Sequence, residues 1–367
     1  MPNFENPFII SQKTGTPNFE GFGDKFLSNG DAARFKSILG KKGEKNPGNS
    51  NPKGINLESA MSYEEIEELK TVEEERLDPL KRIIAWAKKY DLGDEGWIKE
   101  NFEFEDDGTV ICNTSLYLDF VTELDFPEII KYVRGCIYLN SLISAKGLKL
   151  PEKIGGNLSL NDLASAVGLK LPDEIGGSLS LNGLTSAEDL KLPEKIGGYL
   201  SLNGLTSAED LELPREIGTL SLNGLTSAED LELPEEIGNL FLNGLTSAKG
   251  LKLPKKIGWN LFLNGLTSAK GLKLPRKIRT LCLNNLTSAE GLELPEEIEF
   301  NLELNGLTSA LGLTLPKKID SLYLDGLTSA KDLKLTNIKI EGYIYLDKIP
   351  YYEKQELRKK YPNLSIV

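Results

Sequence analysis

Apolar and polar positions follow one pattern that recurs ten times between Cys136 and Leu335. In the copy from Asn157 to Gly177, two leucines alternate with a serine, as in a strand with one buried face. The side chains expected to point inward in this copy are Leu158, Leu160, Leu163, Ala166, Leu169, Leu171 and Ile175. The pattern predicts one strand per copy, stacked into a long parallel sheet.

A proline marks each copy at intervals of 20 or 21 residues: Pro151, Pro172, Pro193, Pro214, Pro234, Pro254, Pro275, Pro295 and Pro316. This period is typical of a solenoid, in which each copy forms one coil and neighbouring coils share a core. One coil alone buries too little apolar surface to offset the entropy lost by ordering about 21 residues. The fold prediction is therefore mainly β: a parallel β-solenoid of about 11 or 12 coils, with helical caps at both ends.

Length varies at one place in the coil, between the isoleucine and the next strand leucine. Three residues separate Ile175 from Leu179, whereas two separate Ile237 from Leu240. An insertion that often contains Gly-Gly predicts a corner where glycine adopts a positive φ. The leucine pair before each proline is interpreted as a second, shorter strand that the proline ends.

An asparagine follows the strand in almost every copy, and a Thr-Ser pair lies three residues further on. Stacked amides in a solenoid bond to each other and to the backbone of the next coil, so both columns are interpreted as structural. The first column is Asn161, Asn182, Asn203, Asn223, Asn243, Asn264, Asn284, Asn305 and then Asp325.

With its L-T-S…L-P phrase, the repeat resembles short bacterial and phage-encoded leucine-rich repeats over roughly residues 112–346. The resemblance implies a parallel sheet on a concave face and a protein-binding role. It departs from the usual phrase because Asn182 directly follows the last strand leucine, Leu181, instead of standing three places later. A straighter two-sheet β-solenoid is therefore the alternative.

Four segments are predicted. Residues 1–57 are rich in Pro, Gly, Asn, Ser and Lys and form a flexible N-terminal arm. Residues 58–107 form a helical N-terminal cap, which begins with a capping box at residues 62–65 and includes Trp86 and Trp97 packed against the first coil. Residues 108–346 form the solenoid, and residues 347–367 form a C-terminal helical cap.

The amino-acid composition limits which classes of function the protein is expected to have. The net charge of −12 disfavours nucleic acid as a partner. Histidine is absent and the cysteines are widely spaced, so we expect no enzyme activity, no metal site and no cofactor. No signal peptide or membrane-spanning segment is recognised, and the three cysteines suit a reducing compartment. These features favour a cytoplasmic location, with signal-independent export as the alternative.

Aromatic side chains interrupt the periodic surface. The outward position of the strand changes from serine to Phe241 and Phe262, which the repeat places on adjacent strands about 4.8 Å apart. Trp259 and Tyr199 lie near the same edge, and Tyr323 occupies the outward position further along. These five residues are predicted to bind a partner, the alternative being that they only stabilise an exposed sheet.

Charge changes sign from coil to coil. We call the cations of two neighbouring coils the basic band, and they are Lys249, Lys252, Lys255, Lys256, Lys270, Lys273, Arg276, Lys277 and Arg279. Five of them (Lys255, Lys256, Arg276, Lys277 and Arg279) are counted with the predicted partner-binding residues. Mutual neutralisation with the acidic coils on either side is the alternative interpretation.

The sequence predicts a non-enzymatic scaffold that binds a protein partner on the solenoid surface. The alternative is a structural component that uses residues 1–57 for self-assembly or for docking into a larger complex. For either function, we expect neither a nucleic acid nor a membrane as a partner.

Overall fold

The computed structural model describes residues 78–367, and these residues form a mainly β parallel solenoid of about 12 coils. The fold prediction is confirmed. The N-terminal arm of residues 1–57 and the capping box at residues 62–65 lie outside the described residues.

The described chain begins with two short helices and ends with a third beside the last strand. The helices are α1 (Pro79–Lys89), α2 (Glu95–Asn101) and α3 (Tyr351–Lys360). The first strands are β1 (Phe102–Phe104), β2 (Val110–Cys112), β3 (Leu116–Tyr117), β4 (Ile130–Val133), β5 (Ile137–Tyr138), β6 (Lys153–Ile154), β7 (Leu158–Ser159), β8 (Glu174–Ile175), β9 (Leu179–Ser180), β10 (Lys195–Ile196), β11 (Tyr199–Ser201) and β12 (Ile217–Ser221). The others are β13 (Glu236–Phe241), β14 (Lys256–Ile257), β15 (Asn260–Phe262), β16 (Lys277–Ile278), β17 (Thr280–Cys282), β18 (Glu297–Ile298), β19 (Asn301–Glu303), β20 (Lys318–Ile319), β21 (Ser321–Tyr323), β22 (Lys339–Ile340), β23 (Tyr343–Tyr345) and β24 (Ser365–Ile366).

One 14-stranded sheet, here called the main sheet, has 13 strands along its path from β3 to β24, one after another in successive coils. Its fourteenth strand is β14, which occupies the second-face position of its coil and joins the sheet by pairing with β13. The residues of its strands pair in parallel with identical repeat positions, as Leu200 pairs with Leu179 and with Leu220. The predicted Leu-x-Leu strand is therefore confirmed.

A second, discontinuous face is built mostly from two-residue strands that end at the isoleucine of a coil, with the longer strands β1, β2 and β4 at its N-terminal end. It comprises a 6-stranded sheet, β1-β2-β4-β6-β8-β10, and a 4-stranded sheet, β16-β18-β20-β22. Between them, β12 and β13 run through the corner without interruption. Their coils lack the extra corner residue, as do the coils of β17 and β21, in which the strand is nevertheless interrupted at the corner. The solenoid thus has the two-sheet character that the asparagine position indicated.

The second strand was predicted in the wrong place. The leucine pair before each proline forms no strand, because its first amide is used within the coil: Leu169 N–H donates to the Ala166 carbonyl over 2.9 Å. Leu190 and Ala187 repeat the bond at 3.0 Å. An amide engaged in a local turn cannot also bond to the neighbouring coil.

The core is a set of leucine and isoleucine columns that continues from coil to coil. Leu158, Leu160, Leu163 and Ile175 are fully buried, whereas Leu171 is only partly buried. Neighbouring coils cover each other's apolar side chains, which is why one coil cannot fold alone.

The corner glycines are required for a different reason from the one predicted. They do not have a positive φ; instead, a Cβ at Gly197 would lie 2.0 Å from the Gly176 carbonyl oxygen of the preceding coil. The positive φ values lie elsewhere, at the residue before the inward leucine that follows each alanine, for example Gly250 at +81° and Asp230 at +59°.

The asparagine column is structural, as predicted. Asn203 Oδ1 accepts a hydrogen bond from the backbone N–H of Asn223 at 2.9 Å, and the same bond recurs between neighbouring coils. In the Thr-Ser pairs, the serine hydroxyl accepts the N–H two residues further on, as Ser227 does from Glu229 at 3.1 Å. Both columns therefore use their polar atoms inside the fold.

Each end of the solenoid is covered by a short cap. Trp86 of α1 is buried, and its ring lies 5.4 Å from that of Phe126 in the first coil, as expected. Strand β1 pairs antiparallel with β2 and ends the 6-stranded sheet. At the other end, Arg358 of α3 donates two hydrogen bonds to the Ile366 carbonyl, at 2.9 and 2.8 Å. This contact occupies an acceptor of the edge strand β24.

Candidate interaction surface

The outward positions of the main sheet form one column in which the side chains change type along the stack. Strand pairing gives the order Tyr117, Tyr138, Ser159, Ser180, Ser201, Ser221, Phe241, Phe262, Cys282, Glu303, Tyr323 and Tyr345. Aromatic pairs therefore lie at both ends and in the middle. Each is separated from the next by smaller or charged residues.

The central pair forms a close stack. The rings of Phe241 and Phe262 are 4.4 Å apart with an angle of 6° between their planes, and strand pairing places the two residues side by side. The half-exposed ring of Tyr199 meets Phe241 edge-on at 6.4 Å. The predicted adjacency of the two phenylalanines is confirmed. We call Tyr199, Phe241 and Phe262 the aromatic patch.

The predicted residues Trp259 and Arg279 lie at the corner between the two sheet faces. The Arg279 guanidinium lies 4.6 Å from the Trp259 ring and 5.8 Å from the Phe300 ring, so it packs between two exposed aromatics. We call these three residues the corner cluster. Sequence reasoning missed Phe300, although it occupies a corner position that is glycine in earlier coils.

Tyr323 does not join the aromatic patch. Its ring stacks on that of Tyr345 at 4.5 Å, and two strands carrying Cys282 and Glu303 separate it from Phe262. The stack of Tyr323 and Tyr345 matches the phenylalanine stack in geometry but lies elsewhere on the same column. It therefore provides an internal control for experiments on the aromatic patch.

The basic band is neutralised at its two borders. Lys255 and Lys256 pair with Glu235 and Glu236 of the preceding coil, each at 2.7 Å. The hydrogen bond from Lys255 lowers the pKa of Glu235. At the other border, Arg279 pairs with Glu299 at 2.9 Å. These contacts support the neutralisation interpretation for three of the five predicted cations.

Arg276 and Lys277 differ from those three because they are exposed and make no ion pair with any described residue. The acids of the next coil are bonded elsewhere: Glu296 pairs with Lys317 at 3.1 Å and Glu297 with Lys318 at 3.4 Å. The second coil of the basic band therefore keeps positive charge that is available to a ligand.

Two of the three cysteine thiols, those of Cys112 and Cys282, lie in surroundings that suppress their reactivity. All three cysteines are free. Burial raises the pKa of Cys112 to about 11, and burial beside Glu303 raises the pKa of Cys282. A protonated thiol is a poor nucleophile and a poor metal ligand.

Comparisons with known proteins give no assignment: no family model, no curated protein and no solved structure matches the chain. Among residues 78–367 no group of three or more acidic or cysteine side chains is arranged to hold a metal ion. No helix of the same residues has the length and apolar character needed to cross a membrane.

Proposed function

We propose that this solenoid is a non-enzymatic scaffold that binds a protein partner through the aromatic patch. The observation that carries the proposal is the stack of Phe241 on Phe262, which presents ring surface on a sheet face where the four preceding strands carry serine. Aromatic anchors of this kind provide much of the binding energy in protein interfaces.

The surroundings of the patch favour an anchor role over a purely internal one. Ser201 and Ser221, on the strands that precede Phe241, are buried although they occupy the outward column, and Tyr199 meets Phe241 across the strand that carries Ser221. Their hydroxyls are already bonded, as Ser221 donates to Asn203 Oδ1 at 2.7 Å. The partly exposed aromatic rings, and not the serines, are therefore the surface that a partner would contact here.

The proposal includes membership of the leucine-rich-repeat class and a cytoplasmic location. A repeat of 20 or 21 residues with one main-sheet strand per coil supports the first. Three free cysteines support the second, because thiols stay reduced in the cytosol. Fractionation of the source cells tests the location.

The test of the scaffold is affinity capture from the native host with the double variant Phe241→Ser and Phe262→Ser. Serine is the native residue at this position in four earlier coils, so the fold is expected to persist and circular dichroism to stay unchanged. The partner captured by the wild-type protein should be lost.

The matched control is Tyr323→Ser with Tyr345→Ser, which removes an equally stacked pair from the same column. This control should retain the partner. Capture by the phenylalanine variant at the wild-type level would refute the assignment of the aromatic patch.

A further inference from the structure

Charge along the solenoid is sorted by whole coils. The basic band lies between two acidic coils, whose acids are Glu229, Asp230, Glu232, Glu235 and Glu236 on one side and Glu290, Glu293, Glu296, Glu297 and Glu299 on the other. Strand pairing places Lys277 directly beside Glu297 of the acidic coil that follows. Glu296 and Glu297 nevertheless pair with Lys317 and Lys318 on their other side, so Arg276 and Lys277 have no ion pair with any described residue.

The basic band and the aromatic patch share a coil. Along residues 243–263, Lys256 lies on the second sheet face, Trp259 at the corner and Phe262 on the main sheet. In the next coil, Lys277 lies beside the corner residue Arg279, whose guanidinium packs on Trp259. Lys277, the corner cluster and the phenylalanine stack therefore follow one another around the outer surface of neighbouring coils.

We propose that this surface binds an acidic polypeptide segment that carries an aromatic or aliphatic anchor residue. The segment crosses the stack in the direction of the strands. Its carboxylates contact Arg276 and Lys277, and its anchor packs on Phe241 and Phe262. This proposal rests on the proposed function and names the chemistry of the partner.

The width of the basic band favours a peptide over a nucleic acid. Two coils span roughly 10 Å at the usual strand spacing, which is enough for one extended chain. A nucleic acid carries closely spaced phosphates along its length, and these would lie over the acidic coils on either side. Repulsion from those coils selects a short segment whose negative charge ends within the basic band.

The test is fluorescence anisotropy with the full chain and labelled copolymers. A glutamate–tyrosine copolymer supplies acid and anchor, polyglutamate supplies acid alone, and a lysine–tyrosine copolymer reverses the charge. We expect the glutamate–tyrosine copolymer to bind most tightly and to weaken as salt rises from about 50 to about 200 mM.

The decisive variant is Arg276→Glu with Lys277→Glu, which should weaken binding of the glutamate–tyrosine copolymer at least about tenfold, or about 1.4 kcal/mol. The matched control is Lys331→Glu with Lys334→Glu, which changes the net charge equally on exposed lysines three coils further along the stack. This control should bind within about twofold of wild type, since long-range charge effects on exposed sites are screened.

Four results would overturn the proposal: equal loss in both charge variants, tighter binding of single-stranded DNA, no binding of any copolymer, or a dimer that the Arg276→Glu, Lys277→Glu variant abolishes. The last result would identify a second copy as the occupant. If the native partner is lost with the phenylalanine variant but binds normally to the charge variant, the scaffold function stands and this inference alone fails.

Discussion

At the residue scale, one position in the coil alternates between glycine and aspartate for a conformational reason. Gly250, Gly271 and Gly291 have φ values of +81°, +82° and +74°, whereas Asp210 and Asp230 have +60° and +59° at the same position of other coils. Glycine adopts this left-handed conformation without strain, and aspartate tolerates it better than most residues. Each supplies the bend that brings the next leucine back into the core.

The substitution Gly250→Val is therefore expected to destabilise the protein by about 1–2 kcal/mol, because a β-branched residue is strained at positive φ. Gly250→Asp is the matched control and should cost clearly less, since aspartate occupies this position in other coils. Urea unfolding measures both. Equal losses for valine and aspartate would show that the backbone conformation does not set the residue choice.

The residues that sequence reasoning predicted correctly are those whose role the repeat makes periodic. The adjacency of Phe241 and Phe262 follows from parallel in-register stacking, as does the bond from Asn223 to Asn203. The conformational reason predicted for the corner glycines was wrong at Gly197. Glycine is needed there because a carbonyl of the preceding coil comes very close, and this approach depends on the distance between coils. Phe300 was missed because its contact with Arg279 depends on the corner geometry.

At the element scale, the C-terminal helix α3 is attached to the last repeats by one carboxylate. Glu353 accepts hydrogen bonds from the Ala330 N–H at 2.6 Å and from the Ser329 hydroxyl at 2.9 Å. These bonds, led by the one from Ala330, hold the pKa of Glu353 below its usual value. The ionised form therefore stabilises the docked helix.

Lowering the pH should loosen this attachment. A carboxylate whose folded pKa is depressed contributes stability above its unfolded pKa, and that stability is lost as pH falls through the folded value. Hydrogen exchange of α3 should accelerate between neutral pH and about pH 3, after correction for intrinsic rates. Glu353→Gln should exchange faster at neutral pH and lose most of this pH dependence. An unchanged pH dependence in that variant would contradict the role of Glu353.

The main-sheet strands could be predicted from the sequence, whereas the strands of the second face could not, and the difference has a physical reason. The main-sheet strands follow from alternation of buried and exposed residues, as in Leu240 followed by Phe241. In the regular repeats the second face has strands of only two residues, too short for alternation to appear. Their position is set by which amides remain free for the neighbouring coil, and the sequence does not show this.

At the scale of the whole solenoid, stability and recognition are separated between inside and outside. The interior repeats the same leucine and isoleucine positions, so the described coils hold one another in place. The exterior varies without disturbing that core, and the coil 243–263 combines a stacked phenylalanine, a corner tryptophan and lysines. This combination is the basis for assigning the partner-binding surface there.

The most direct test of that assignment is site-specific photocrosslinking in the native host. The photoreactive residue p-benzoylphenylalanine replaces Phe262 in one variant and Tyr345 in the other, because both are half-buried members of stacked pairs on the same column. The account predicts a discrete crosslinked partner from position 262 and none from position 345. Equal crosslinking at both positions, or a partner captured only at 345, would contradict it.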